Sequence, residues 1–159
     1  MKYPESLIVN EERYDLLIES QHTLMEAIRD GIGLTGTKCA CEDGRCGSCS
    51  VILEGQLVKA CTVLALQAQE QVVLTIEGLG TPRELHPLQE AFLEHGAVQC
   101  GFCTPGMLLS AKNLLDENPH PGEKEVRDAL LGNLCRCGVY THATRAILSA
   151  AEGRETHGE

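Results

Sequence analysis

The sequence predicts an α+β chain in which a small sheet-bearing domain leads into about four short helices. Three observations predict it. The first 77 residues carry β-rich runs separated by turn residues. The stretch "GLGTPRELH" then interrupts every pattern with two Gly and a Pro. Beyond it, apolar residues recur with the 3.6-residue period of helices. The expected organisation is a first domain over 1–78, a linker over 79–86, a helical domain over 87–152 and a polar tail over 153–159.

The elements follow in order. "SLIVNEERYDLLI" reads as two strands turning around Asn10-Glu11-Glu12. "TLMEAIRDG" reads as a short helix, with Thr23 and Glu26 as a capping box and Gly31 as its left-handed stop. "SVILEGQLV" is a second hairpin turning at Glu54-Gly55, and "QVVLTIEG" is one more strand. "HPLQEAFLEHG" opens the helical part. "TPGMLLSAKNLLDENP" follows, with Thr104 expected as N-cap and Pro105 at the first helical position. "GEKEVRDALLGN" and "YTHATRAILSAAEG" supply two further helices. The tail "GRETHGE" is expected to fray.

Composition narrows the function. Aromatic residues make up 3% of the chain and Trp is absent, so the core must rest on Leu, Ile, Val and Ala, or something other than core must help. A net charge of −10 leaves no basic face for phosphates and argues against nucleic acid. The first residues show no apolar signal core and no twin arginine, and no run approaches a membrane span. A cytoplasmic protein is therefore expected. Its nine cysteines would be kept reduced there, which disfavours a disulfide framework.

The cysteines carry the chemistry. Cys41, Cys46 and Cys49 form C-x4-C-x2-C, with Cys61 further along. The first three match the spacing of plant-type [2Fe–2S] ligands. Four thiolates and nearby backbone N–H groups suit such a cluster, and Gly44 and Gly47 allow a loop to wrap around it. Structural zinc, which usually takes two close pairs of ligands, is the alternative. Cys39 reads as a small buried residue beside the loop, with a reactive or substitute-ligand thiol as the other reading. "GIGLTG", Gly31 to Gly36, matches a dinucleotide-binding pattern, but a helix rather than a strand precedes it. "QCGFC" and "LCRC" then add Cys100, Cys103, Cys135 and Cys137. These can tie two helical hairpins to one metal site. Zinc could do that as well; two sets of four ligands favour a pair of redox centres.

The segments "GTKCACEDGRCGSCSV", "TIEGL", "QCGFCTPGM" and "GNLCRCGVY" closely resemble the iron–sulfur subunit of the molybdenum hydroxylases, the xanthine dehydrogenase family. That family also includes aldehyde oxidoreductase and aerobic carbon monoxide dehydrogenase. The likeness runs from about residue 6 to about residue 150.

The resemblance implies a β-grasp, plant-type ferredoxin-like domain followed by a four-helix-bundle domain, each with one [2Fe–2S] cluster. It implies that Cys41, Cys46, Cys49 and Cys61 hold the cluster nearer the flavin. Cys100, Cys103, Cys135 and Cys137 would hold the one nearer the molybdenum cofactor. Gln99 and Cys137 would lie at the edge of the molybdopterin on a partner subunit. The chain departs from many members at Ala40, where they have Gly, and at "CRCGVY", where they read C-R-C-T-G-Y; Tyr140 is kept.

No catalytic constellation is visible. The six His residues are scattered, and His142 is expected at the surface or at a cofactor edge. The implied role is electron transfer within a larger oxidoreductase. Electrons would pass from a molybdenum–pterin centre through two clusters to FAD or another acceptor, with the pterin on a large partner and the FAD on a flavin-binding partner. A free ferredoxin shuttle and a zinc-stabilised interaction module are the rival readings.

Overall fold

A computed structural model describes residues 2–153, so tail residues 154–159 lie outside the described residues. Strand β1 (Lys2–Val9) buries Glu5, Leu7 and Val9, the period-2 pattern of a strand with one inward face. It pairs antiparallel with β2 (Glu12–Glu19). The turn between them places Asn10 and Glu11 at φ of 53° and 69°, the left-handed pair of a type I′ hairpin. A second hairpin joins β3 (Ser50–Leu53) to β4 (Gln56–Lys59) through Glu54 at φ 48° and Gly55 at φ 77°. Strand β5 (Val72–Leu74) lies between β1 and β3. The sheet order is β2-β1-β5-β3-β4, with β1 and β5 parallel and the other pairs antiparallel.

Helix α1 (Leu24–Glu26) continues as a π-helical turn over Ala27–Ile32. Its capping box forms as expected: Thr23 N–H donates to Glu26 Oε2 at 2.7 Å, and Glu26 N–H donates to Thr23 Oγ1 at 3.2 Å. Leu24 and Ile28 are fully buried against the sheet core around Leu7, Val9, Val51 and Val73.

Four helices follow: α2 (Pro87–Glu94), α3 (Thr104–Glu117), α4 (Glu123–Ala129) and α5 (Tyr140–Gly153). They close a second core around Phe92, Met107, Leu115, Val126 and Ile147. Leu79 is buried in this core although it opens the glycine-rich stretch. Helix α2 packs on α5, and α3 packs on both α4 and the strands β3 and β4. The second half is thereby seated on one edge of the sheet.

Three local expectations are corrected. The first helix stops at Gly33, φ 92°, not at Gly31, because the π-turn carries the chain two residues further before a left-handed cap. The strand expected over "QVVLTIEG" ends at Leu74. The Thr75 N–H goes to Asn10 Oδ1 at 2.9 Å instead of a strand partner, and the chain turns into a 3-10 segment at Ile76–Gly78. Helix α3 is capped by Cys103, not Thr104, since the Cys103 carbonyl already accepts from Met107 N–H at 3.1 Å.

Candidate metal centres

The first cysteine set is built by a loop between α1 and β3 and by the turn after β4. Gly44 and Gly47 sit at φ 78° and 70°. A Cβ on Gly47 would lie 2.2 Å from the Gly132 carbonyl oxygen, so this position needs glycine for both conformation and space. The loop is pinned from outside. Arg29 Nη1 donates to the Thr35 and Thr37 carbonyls at 3.0 and 2.6 Å, and Lys59 Nζ donates to the Gly44 carbonyl at 2.6 Å. Ala60 N–H donates to the Cys49 carbonyl at 3.2 Å, which brings neighbouring Cys61 to the loop.

The thiols of this set meet in pairs. The Cys41 and Cys46 side chains are hydrogen-bonded, Cys46 N–H also donates to Cys41 Sγ at 3.3 Å, and Cys49 is hydrogen-bonded to Cys61. Burial pushes the Cys49 thiol up to about 12. Burial pushes Cys46 up too, but hydrogen bonds from the Ser48 backbone, Cys41 and the Ser48 side chain outweigh it and the net shift is downward. The different fates follow from burial, deeper at Cys49, and from the several hydrogen bonds that Cys46 receives.

The second set stands in the helical half. Cys100 and Cys103 lie just before α3, and Cys135 and Cys137 in the turn leading to α5. They also pair: Cys137 Sγ is 3.5 Å from Cys100 Sγ, and Cys103 is hydrogen-bonded to Cys135. Burial pushes Cys103 up to about 12. Burial acts the same way on Cys135, yet backbone N–H groups of Val139, Cys137 and Gly138, together with Cys103, bring it below its ordinary value. Gly138, at φ 75°, lets this turn point its amides inward. Tyr140 completes the turn, its hydroxyl accepting from Cys135 N–H at 2.7 Å.

The donor set fits the clusters suggested by the spacing. Among the described residues, no three His, Cys, Asp or Glu side chains converge as a single ion would need. The thiols instead come two by two, each set offering a pair of thiols on either side. A two-iron cluster takes its four cysteines as two per iron, whereas one zinc ion draws four ligands to a point. Anionic sulfur also needs backbone donors, and Cys46 and Cys135 have them. Thr37, shortly before Cys41, keeps a buried hydroxyl with no protein partner.

Other sequence candidates fall where their chemistry allows. Cys39 is partly exposed and bonds Glu42 Oε1 at 3.1 Å; that bond, then burial, raises its thiol to about 11. It packs beside the loop against the sheet core as expected, but is partly rather than fully buried. Gln99 is exposed beside Cys100. His142 Nδ1 lies 2.9 Å from the His95 carbonyl and joins α5 to the end of α2. Gly31 to Gly36 begin in the last residues of the π-helical turn and run on from it, without the immediately preceding strand that a dinucleotide site requires.

Sequence reasoning passed over Phe102, Leu134, Asn133 and Ser110. Phe102 and Leu134 are 44% and 55% exposed around the second set. With Tyr140 and Arg136 they border a cleft of about 740 Å3 that also reaches Cys46 and Cys103. A signal was present: one of only two Phe residues sits between two cysteines.

Two families match the chain in tandem. One described as "2Fe-2S iron-sulfur cluster binding domain" matches residues 7–75, and one described as "[2Fe-2S] binding domain" matches residues 75–148. The nicotinate dehydrogenase small FeS subunit of Eubacterium barkeri is 44% identical over 92% of this chain and 94% of its own. A probable xanthine dehydrogenase subunit of Bacillus subtilis is 40% identical over 96% of this chain and 90% of its own.

The chain belongs to the small iron–sulfur subunits of the xanthine dehydrogenase family. As such a subunit it is a non-catalytic, electron-transferring part of an oxidoreductase. Its fold matches one chain of quinoline 2-oxidoreductase from Pseudomonas putida 86 with a TM-score of 0.93, at 40% identity and with 99% of both chains covered. The aldehyde oxidoreductase of Megalodesulfovibrio gigas is 45% identical over 91% of this chain, yet only 16% of its own length is spanned. The small-subunit sequence therefore also occurs as part of a much longer polypeptide.

Proposed function

We propose that this small iron–sulfur subunit carries single electrons from a molybdenum–pterin centre on a large partner subunit to FAD, on a further subunit, or to another acceptor. Cys41, Cys46, Cys49 and Cys61 hold one [2Fe–2S] cluster, and Cys100, Cys103, Cys135 and Cys137 hold the other. Each cluster, when bound, supplies a one-electron redox couple. We read residues 1–78 as a β-grasp unit, 87–152 as a four-helix-bundle unit and 79–86 as the link between them. Gln99 and Cys137 face the pterin edge in this reading. We place the protein in the cytoplasm, where thiols stay reduced until iron arrives.

The observation that carries the proposal is the pairwise meeting of the thiols in both sets. The residues' work is then definable. The loop around Gly47 shields Cys46 and Cys49 from water. The amides of residues 137–139 hold negative charge at Cys135. Cys100 and Cys137, both exposed, lie where a partner can approach.

Purification from the native host tests this directly. The chain should copurify with a large molybdenum protein and contain about four iron and four labile sulfide, the sum of two such clusters. Cys137→Ser should stop reduction by substrate, while Cys46→Ser should leave that reduction intact and block electron exit. Undiminished turnover of Cys46→Ser with the natural acceptor would overturn the order, and a colourless, iron-free complex would overturn the function.

A further inference from the structure

Gly47 lies between Cys46 and Cys49, and its carbonyl is a meeting point. It accepts from Ser50 N–H at 3.1 Å, from Ser50 Oγ at 2.8 Å and from Asn133 Nδ2 at 3.2 Å. Asn133 is 3% exposed and stands two residues before Cys135. Its Oδ1 accepts from Ser110 Oγ on α3 at 2.8 Å. The orientation of the amide follows from its surroundings: the Gly47 oxygen can only accept, so the NH2 end must face it. Ser110 Oγ also lies 2.9 Å from the Gly106 carbonyl, so one hydroxyl proton is shared between two acceptors.

The same seam is packed without slack. A Cβ on Gly106 would fall 2.2 Å from the Gly47 carbonyl oxygen, as one on Gly47 would fall 2.2 Å from that of Gly132. Beside it, Leu134 N–H donates to the Cys46 carbonyl at 2.8 Å. That hydrogen bond links a ligand of the first set to the residue preceding a ligand of the second.

We propose that Asn133, held by Ser110, is a positioning residue for electron passage between the two cysteine sets. The inference rests on the electron-transfer reading above. Asn133 ties the Gly47 loop to the 132–135 turn and so keeps Cys46 and Leu134 in hydrogen-bonded register. In the step it serves, the helical-half site loses one electron and the sheet-half site gains it. No bond forms or breaks and no proton moves. Electron tunnelling weakens steeply as bonded contact is replaced by a gap, so a small loosening here slows transfer without touching a ligand.

The test uses the intact complex with Asn133→Asp and Ser110→Ala. Asn133→Asp keeps the acceptor for Ser110 but sets a carboxylate oxygen against the Gly47 carbonyl. Three quantities are read: iron per chain, the magnetic splitting between the two reduced-cluster signals in electron paramagnetic resonance, and the intercluster rate after flash reduction. The expected result is unchanged iron, reduced splitting and severalfold slower transfer for Asn133→Asp, with a smaller change of the same sign for Ser110→Ala. Unchanged splitting and rate in the iron-replete variants would overturn the proposal. So would signal lost only in proportion to iron, which assigns Asn133 to stability alone. If Asn133→Asp does not assemble, Ser110→Ala decides by the same readouts. A wild-type complex lacking iron is a different failure and overturns the electron-transfer reading itself.

Discussion

In the sheet half, Cys46 and Cys49 are 9% and 3% exposed, and Cys41 and Cys61 are partly buried. In the helical half only Cys103, at 8%, is comparably buried, while Cys100 and Cys137 are exposed. Exposed apolar side chains gather beside the second set: Phe102, Leu134 and Tyr140 border the cleft that holds Cys100, Cys103 and Cys135. The contrast teaches that this chain encloses the first set more fully than the second, which it leaves open on one side. An open thiol pair bordered by apolar residues fits the partner face of the proposed function.

The largest effect that should sharpen this comparison is on stability. Gly47→Ala combines a left-handed backbone with a clash against the Gly132 carbonyl and should cost at least about 3 kcal/mol. Gly101→Ala, at φ 81° with nothing within 4 Å of the added Cβ, should cost only the left-handed penalty of about 1–2 kcal/mol. Urea unfolding of the two variants checks both. Equal costs would break the claim that the sheet-half loop is the closed one.

Association should respond next. Phe102→Ser should change the unfolding free energy of the free chain by no more than about 0.5 kcal/mol. It should weaken binding to the large subunit by about 2 kcal/mol, roughly 30-fold in Kd. Leu17→Ser, 68% exposed on β2 of the sheet half, should leave that affinity unchanged. Calorimetric titration of the separated subunits measures each.

The smallest effect lies at the far end of the sheet half. Glu5 is 2% exposed, and both its carboxylate oxygens lack a hydrogen-bond partner. Burial first, then the charge of Glu70, raises its pKa. A carboxyl with a raised folded-state pKa binds its proton more tightly when folded. Its contribution is therefore fully favourable below the unfolded pKa and is lost as pH rises through the folded value. At neutral pH Glu5 opposes folding, so Glu5→Gln should stabilise the chain by on the order of 1 kcal/mol. The gain should shrink on acidification toward pH ~4, near the ordinary carboxyl value. Unfolding midpoints of both proteins across that range decide it; a pH-independent difference would refute the mechanism.

The parts legible in the sequence were those governed by neighbours along the chain. Both hairpins showed in their turn residues, since Asn10 and Gly55 tolerate the left-handed backbone that a tight turn requires, and both adopt it here. The Thr23–Glu26 box is closed by residues three apart. The four helices of the second half showed in their apolar period. Misreadings came where a distant group competed. The fifth strand ends early because Asn10, far away in the chain, takes the Thr75 amide. Phe102 and Leu134 could not be separated from core residues by pattern alone, because exposure depends on what packs above them.

What the sequence by itself determined is the cysteine inventory, grouped as C-x4-C-x2-C with Cys61 and as C-x2-C with C-x-C, and the local elements that carry it. Only the tertiary structure decided that the thiols meet in pairs, that one set is more deeply buried than the other, and that Asn133 reaches Gly47 across the seam. The physical reason is range. Spacing and turn chemistry act over a few residues, whereas burial and the Asn133–Gly47 bond join segments 86 positions apart, and only the closed fold brings them together.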